Sequence, residues 1–123
     1  MLRDIAVDGR PLARERLIEE VRAFLRRAGV EEAILYGSYA RGDAHPYSDA
    51  DLILISPRFV GIRFLDRLTP LYRAWGLLRP YIEALAYTPE EFELARQGLG
   101  IERIADRTGI RITIEDDGAA EDA

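Results

Sequence analysis

Asp49 and Asp51 flank a single alanine at the head of the apolar run Leu52-Ile53-Leu54-Ile55, and Gly37-Ser38 stands ten residues before them. Side chains alternate along a strand, so the two aspartates project from one face with backbones roughly 6–7 Å apart, close enough to share metal ions. Carboxylate oxygens suit Mg²⁺, which keeps its other positions for water and phosphate oxygens. Two such ions about 3.5–4 Å apart stabilise both the attacking and the leaving oxygen of an in-line phosphoryl displacement. Gly37 permits close backbone approach, and amides at the start of a helical turn opening at Ser38 can point at phosphate oxygens, with the Ser38 hydroxyl as a further donor. Arg41, one turn on, either neutralises phosphate charge or pairs with a nearby carboxylate. Glu83 interrupts an apolar strand pattern. It is the candidate third carboxylate, ligating the catalytic ion and helping to deprotonate an acceptor hydroxyl; the alternative is a side chain facing solvent or an arginine.

The elements that must position these groups are read from periodicity. Leu17, Val21, Phe24, Leu25 and Ala28 make an amphipathic helix between Pro11 and Ala28, stopped by Gly29. Val30 to Tyr36 is a first strand, Ser38 to Gly42 a short helical turn, and Asp49 to Ile55 a second strand, apolar on both faces and therefore central. Phe59 to Leu78 carries apolar residues at helical spacing and is expected to be one helix kinked at Pro70, its aromatic stripe mostly core. Tyr81 to Tyr87 is a third strand with Tyr81, Glu83, Leu85 and Tyr87 on one face. Thr88-Pro89-Glu90-Glu91 is a helix start with a capping box, the helix running to about Gln97. A short helix over Ile101 to Arg107 leads through Gly109 to an edge strand at Ile110 to Ile114. Residues 1–115 are read as one domain and the acidic stretch 116–123 as a disordered tail.

Composition excludes several chemistries. With 22 acidic against 17 basic residues, the chain lacks the positive surplus of a stand-alone nucleic-acid binder. Cysteine is absent, His45 is the only histidine, and every basic residue is arginine. Thiolate catalysis, Cys-ligated zinc and a Walker-type phosphate loop are thereby removed. No apolar stretch approaches a membrane span and the N-terminus lacks a signal-peptide core, so the expected location is cytoplasmic.

With Ala40-Arg41-Gly42 inside the gap and Ser48 directly before the first aspartate, the segment resembles the nucleotidyltransferase fold of the DNA polymerase β superfamily. The short length resembles its minimal nucleotidyltransferase (MNT) branch. The likeness spans roughly residues 10–114 and includes Tyr87-Thr88-Pro89-Glu90-Glu91-Phe92. Two departures stand out: Glu83 where Asp is frequent, and Tyr39 where Arg is common. The expected architecture is α/β (α+β), a small mixed, mainly antiparallel sheet with helices packed on one face and the site open on the other. The resemblance implies Mg²⁺-dependent transfer of a nucleoside monophosphate, AMP from ATP or that of another nucleoside triphosphate, to a hydroxyl with release of pyrophosphate. It assigns Gly37, Ser38, Arg41 and Ser48 to the nucleotide, Asp49 and Asp51 to both metal ions, and Glu83 to the catalytic one. Many such proteins pair with a small helical HEPN-domain protein in toxin–antitoxin modules, where they adenylylate a toxin tyrosine, so a separate HEPN-type partner is implied. A catalytically silent antitoxin or adaptor and an antibiotic-modifying nucleotidyltransferase are the alternatives, and homo-oligomerisation is left open.

Overall fold

The computed structural model describes residues 3–4 and 10–114. Helix α1 (Arg14–Ala28) buries Leu17, Val21, Phe24, Leu25 and Ala28, the stripe its period dictates, and ends at Gly29 in the left-handed conformation. Strands β2 (Glu32–Tyr36) and β3 (Ala50–Ile55) form the centre of a four-stranded sheet. The antiparallel β2–β3 pair is joined through α2 (Ser38–Arg41), and β6 (Ile110–Thr113) pairs antiparallel to the outer side of β2. On the far side of β3, β5 (Ile82–Tyr87) runs parallel to it, giving the order β5-β3-β2-β6. This is the mixed, mainly antiparallel sheet that the sequence predicts, with β3 in the central, covered position.

The main core lies on one sheet face. Ala33, Leu35, Leu52, Leu54, Ala84, Ala86 and Ile112 meet α1, together with Leu71 and Trp75. Phe24 and Trp75 pack edge to face with ring centres 5.3 Å apart, and the Trp75 indole donates to the Pro80 carbonyl at 3.0 Å. Thus the buried aromatic keeps its polar tip satisfied.

The expectation that helices cover only one face needs correction. Phe92 of α4 (Pro89–Ala95) and Ala105 of α5 (Ile101–Thr108) pack with Ile34, Ile53 and Ile55 on the second face. Both faces of the central strands are apolar over these positions, and each needs a partner layer. The second layer covers only part of its face, which leaves room at the head of β3.

The single kinked helix over Phe59 to Leu78 is also corrected. Two 3₁₀ turns, Pro57–Phe59 and Phe64–Arg67, precede a seven-residue α3 (Leu68–Ala74), and β4 (Leu77–Arg79) then pairs parallel with β1 (Arg3–Asp4). Phe59, Leu71 and Trp75 are core, whereas Leu65 is 75% exposed, so the apolar stripe is broken in space as the chain turns. Pro70 is the third residue of α3, where its missing N–H costs no helical bond and no kink results.

The predicted helix start at Thr88 is present in full. The Thr88 hydroxyl accepts from the Glu91 amide at 3.1 Å, and the Thr88 amide donates to Glu91 Oε1 at 2.9 Å. The tail, 116–123, lies outside the described residues.

Candidate active site

Three neighbouring strands deliver one row of side chains to the open part of the second face. Tyr36 on β2 lies opposite Asp51 on β3, and Asp51 lies opposite Glu83 on β5. The alternate residues Leu52, Ile82 and Ala84 point into the main core, so period two carries Asp51 and Glu83 to the other face, as predicted. Glu83 is exposed and Asp51 half-buried.

The Asp51 carboxyl is pushed up to about 6, first by burial, then by its hydrogen bond with and the charge of Glu83, then by the charge of Asp49, with Arg41 opposing. Two carboxylates held together share a proton when nothing else neutralises them. Asp49 precedes β3 and is exposed. Among the described residues, no three His, Asp or Glu side chains converge as a ready metal cage. Of the three carboxylates expected from sequence to converge, Asp51 and Glu83 lie opposite each other on β3 and β5, and Asp49 acts on Asp51 through its charge. The hard-oxygen donors and the surplus charge on Asp51 suit a small divalent cation.

Gly37 is where the turn meets the carboxylates. Its φ of +80° and ψ of −150° belong to a region open only to glycine, and an added Cβ would overlap Asp51 Oδ2. α2 begins directly after it, so the amides of its first turn have no intrahelical acceptor. Gly37→Ala is expected to displace the Asp51 carboxylate, costing about 1–3 kcal/mol in a urea melt and most of any transfer activity. A variant matching wild type in both measurements would remove Gly37 from the site.

The remaining predicted residues are placed as follows. Ser38 is the first residue of α2. Arg41 Nε donates to Asp43 Oδ2 at 3.2 Å on the surface, the carboxylate pairing that is one of its two sequence readings, and its charge also acts on Asp51. Ser48 closes the preceding turn, its hydroxyl accepting from the His45 amide at 2.9 Å. In this structure that side chain is engaged in shaping the loop that aims Asp49 and Asp51.

Sequence reasoning missed Tyr36, which was read only as a strand end. Its hydroxyl is pushed up to about 12, by burial first and then by the charges of Asp51, Glu83 and Glu102, so it stays protonated as a donor beside the carboxylates. The β2–β3 register that puts it there is not local in sequence.

No curated protein is significantly similar to the chain in sequence. A candidate nucleotidyltransferase from Sulfolobus solfataricus has a similar solved structure, with 20% identity over 67% of this chain and 76% of that one and a TM-score of 0.52. That likeness speaks for the fold. The family profile of the nucleotidyltransferase domain matches residues 15–117, which takes in α1, the glycine turn and the carboxylate strands. The chain belongs to the nucleotidyltransferase domain family.

Proposed function

We propose that the chain is a Mg²⁺-dependent nucleotidyltransferase that moves a nucleoside monophosphate, AMP from ATP, onto a hydroxyl of a separate protein, such as a tyrosine of a HEPN-type helical toxin that it thereby silences as antitoxin. The observation that carries the transfer reading is the Asp51–Glu83 pair facing the Gly37 turn, with Gly37 admitting no side chain because Asp51 occupies that space. The protein partner rests on the resemblance of the Gly37 to Asp51 segment to the minimal branch.

Asp51 and Glu83, with Asp49, would hold divalent cations, which supply charge neutralisation for the displaced phosphoryl oxygens. The first-turn amides of α2 and the Ser38 hydroxyl orient the phosphates, with Arg41 balancing their charge. Glu83, exposed at the β5 side, takes the proton of the incoming hydroxyl. Such chemistry asks mainly for positioning and electrostatics, which rigid strands provide.

A silent adaptor is the second reading, favoured by Asp49 standing apart from the pair. Labelled ATP, Mg²⁺ and a co-purified partner separate the two readings. Wild type is expected to label the partner, and Asp49→Ala combined with Asp51→Ala is expected to abolish it. Labelling that survives the double change would overturn the carboxylate assignment, and a wild type that binds its partner without labelling it would establish the adaptor.

A further inference from the structure

The pairing of β3 with β5 extends past the carboxylates. Ala50 lies opposite Ile82 and Asp51 opposite Glu83, the Ala50 amide donates to the Tyr81 carbonyl at 2.8 Å, and the Arg79 guanidinium sits 5.2 Å from the centre of the Tyr47 ring. Asp49 and Tyr81 directly precede the first pair of that register, each two residues before Asp51 and Glu83.

Tyr81 is a braced ring with free surface. It stacks on Tyr72 with ring centres 5.8 Å apart and planes within 16°. Tyr72 is fixed in turn, its hydroxyl accepting from the Ala84 amide at 3.0 Å on the outer edge of β5. Tyr81 nevertheless keeps 37% of its surface exposed, and Tyr47 keeps 74%. On the opposite side of β3, after β2, lie Gly37, Ser38 and Arg41. Across its central strand the site thus has an amide-and-cation side and an aromatic side, which is the chemical polarity of a nucleoside triphosphate: anionic at one end, a flat π-system at the other.

We propose that the Tyr81 ring, backed by Tyr72, is the platform on which the nucleobase of the donor nucleotide stacks. The proposal rests on the reading of the carboxylate pair as a nucleotide site. Stacking against an aromatic face tolerates any base, so the platform confers affinity and orientation more than base choice.

Titration calorimetry with two probes tests this: Mg²⁺-ATP, and Mg²⁺-tripolyphosphate, which has the phosphates but no base. Tyr81→Ala is expected to weaken ATP binding about tenfold and leave tripolyphosphate unchanged, while Tyr81→Phe stays within about twofold of wild type for both. Equal losses for the two probes would mean that Tyr81 acts through the fold or the charge field and would overturn the platform. So would unchanged ATP affinity in Tyr81→Ala, including the case where only the acceptor KM rises, because the ring would then serve the acceptor. If neither probe binds wild type, the nucleotide-site reading itself falls; if tripolyphosphate binds as tightly as ATP, the site stands and only the base platform fails.

Discussion

Asp51→Asn is expected to lower nucleotidyl transfer roughly a thousandfold or more while raising the thermal midpoint of the cation-free protein above pH 6. Asparagine keeps the shape that lies against Gly37, and its amide can donate to Glu83, replacing the shared proton. Stability then follows from linkage. In the unfolded chain Asp51 ionises near its ordinary 3.8, whereas in the folded chain it holds its proton to about 6. Between those values the native state binds more protons, so stability falls as pH rises through the window, and the full cost is present above it. The variant carries no such cost. Its advantage in thermal melts is expected to be largest at pH 7–8 and to shrink toward pH 4. Added Mg²⁺ reverses the order, since a ligand that binds only the folded state stabilises wild type by mass action and has lost a carboxylate in the variant. A variant no more stable than wild type at pH 8 without cation would mean that the pair is not under charge strain.

That strain clarifies what the sequence could reveal. The residue types at the site were legible because strand alternation is a local rule: Asp49, Asp51 and Glu83 each announce their face through their apolar neighbours. The place of Tyr36 beside Asp51 and Glu83 was not legible, because it depends on register between strands brought together from distant parts of the chain. Among the elements, α1 and the Thr88 capping box were readable because their signals lie within a few residues. The segment from Phe59 to Leu78 was misread for the converse reason. Its apolar residues do recur at helical spacing, but Phe59 and Trp75 are buried by separate short elements, and Leu77–Arg79 finds its strand partner at residues 3–4. Helical period alone does not distinguish a continuous stripe from a chain that turns between buried residues.

Arg67, unremarked in the sequence, is expected to be a large stability determinant. Its side chain is only 5% exposed. Nε donates to the Ile62 carbonyl at 2.8 Å, Nη1 to the Ala86 carbonyl at 3.0 Å, and Nη1 and Nη2 to the two Glu91 carboxylate oxygens at 2.6 and 3.1 Å. Phe59 and Phe64 lie with ring centres 5.7 Å from the guanidinium carbon. One planar fork thus ties the 3₁₀ segment to the end of β5 and to the α4 cap. Arg67→Met fills a similar volume but leaves two carbonyls and a carboxylate without their donor, a cost of about 3 kcal/mol in urea melts at neutral pH. Arg67→Lys is expected to recover little, because an ammonium cannot reproduce the fork. The pH dependence has a defined sign. Glu91 is held down from 4.5 to about 2, first by its hydrogen bond to Arg67 and then by the Thr88 backbone, so its contribution is present above about 4.5 and lost as pH falls toward 2. The gap between wild type and Arg67→Met should narrow over that range without closing, because the Ile62 and Ala86 carbonyls do not titrate. A loss below about 0.5 kcal/mol would show that water replaces the guanidinium without penalty. A gap that ignores pH would place the whole effect on the carbonyls. In either case Glu91 would be left as a helix cap alone.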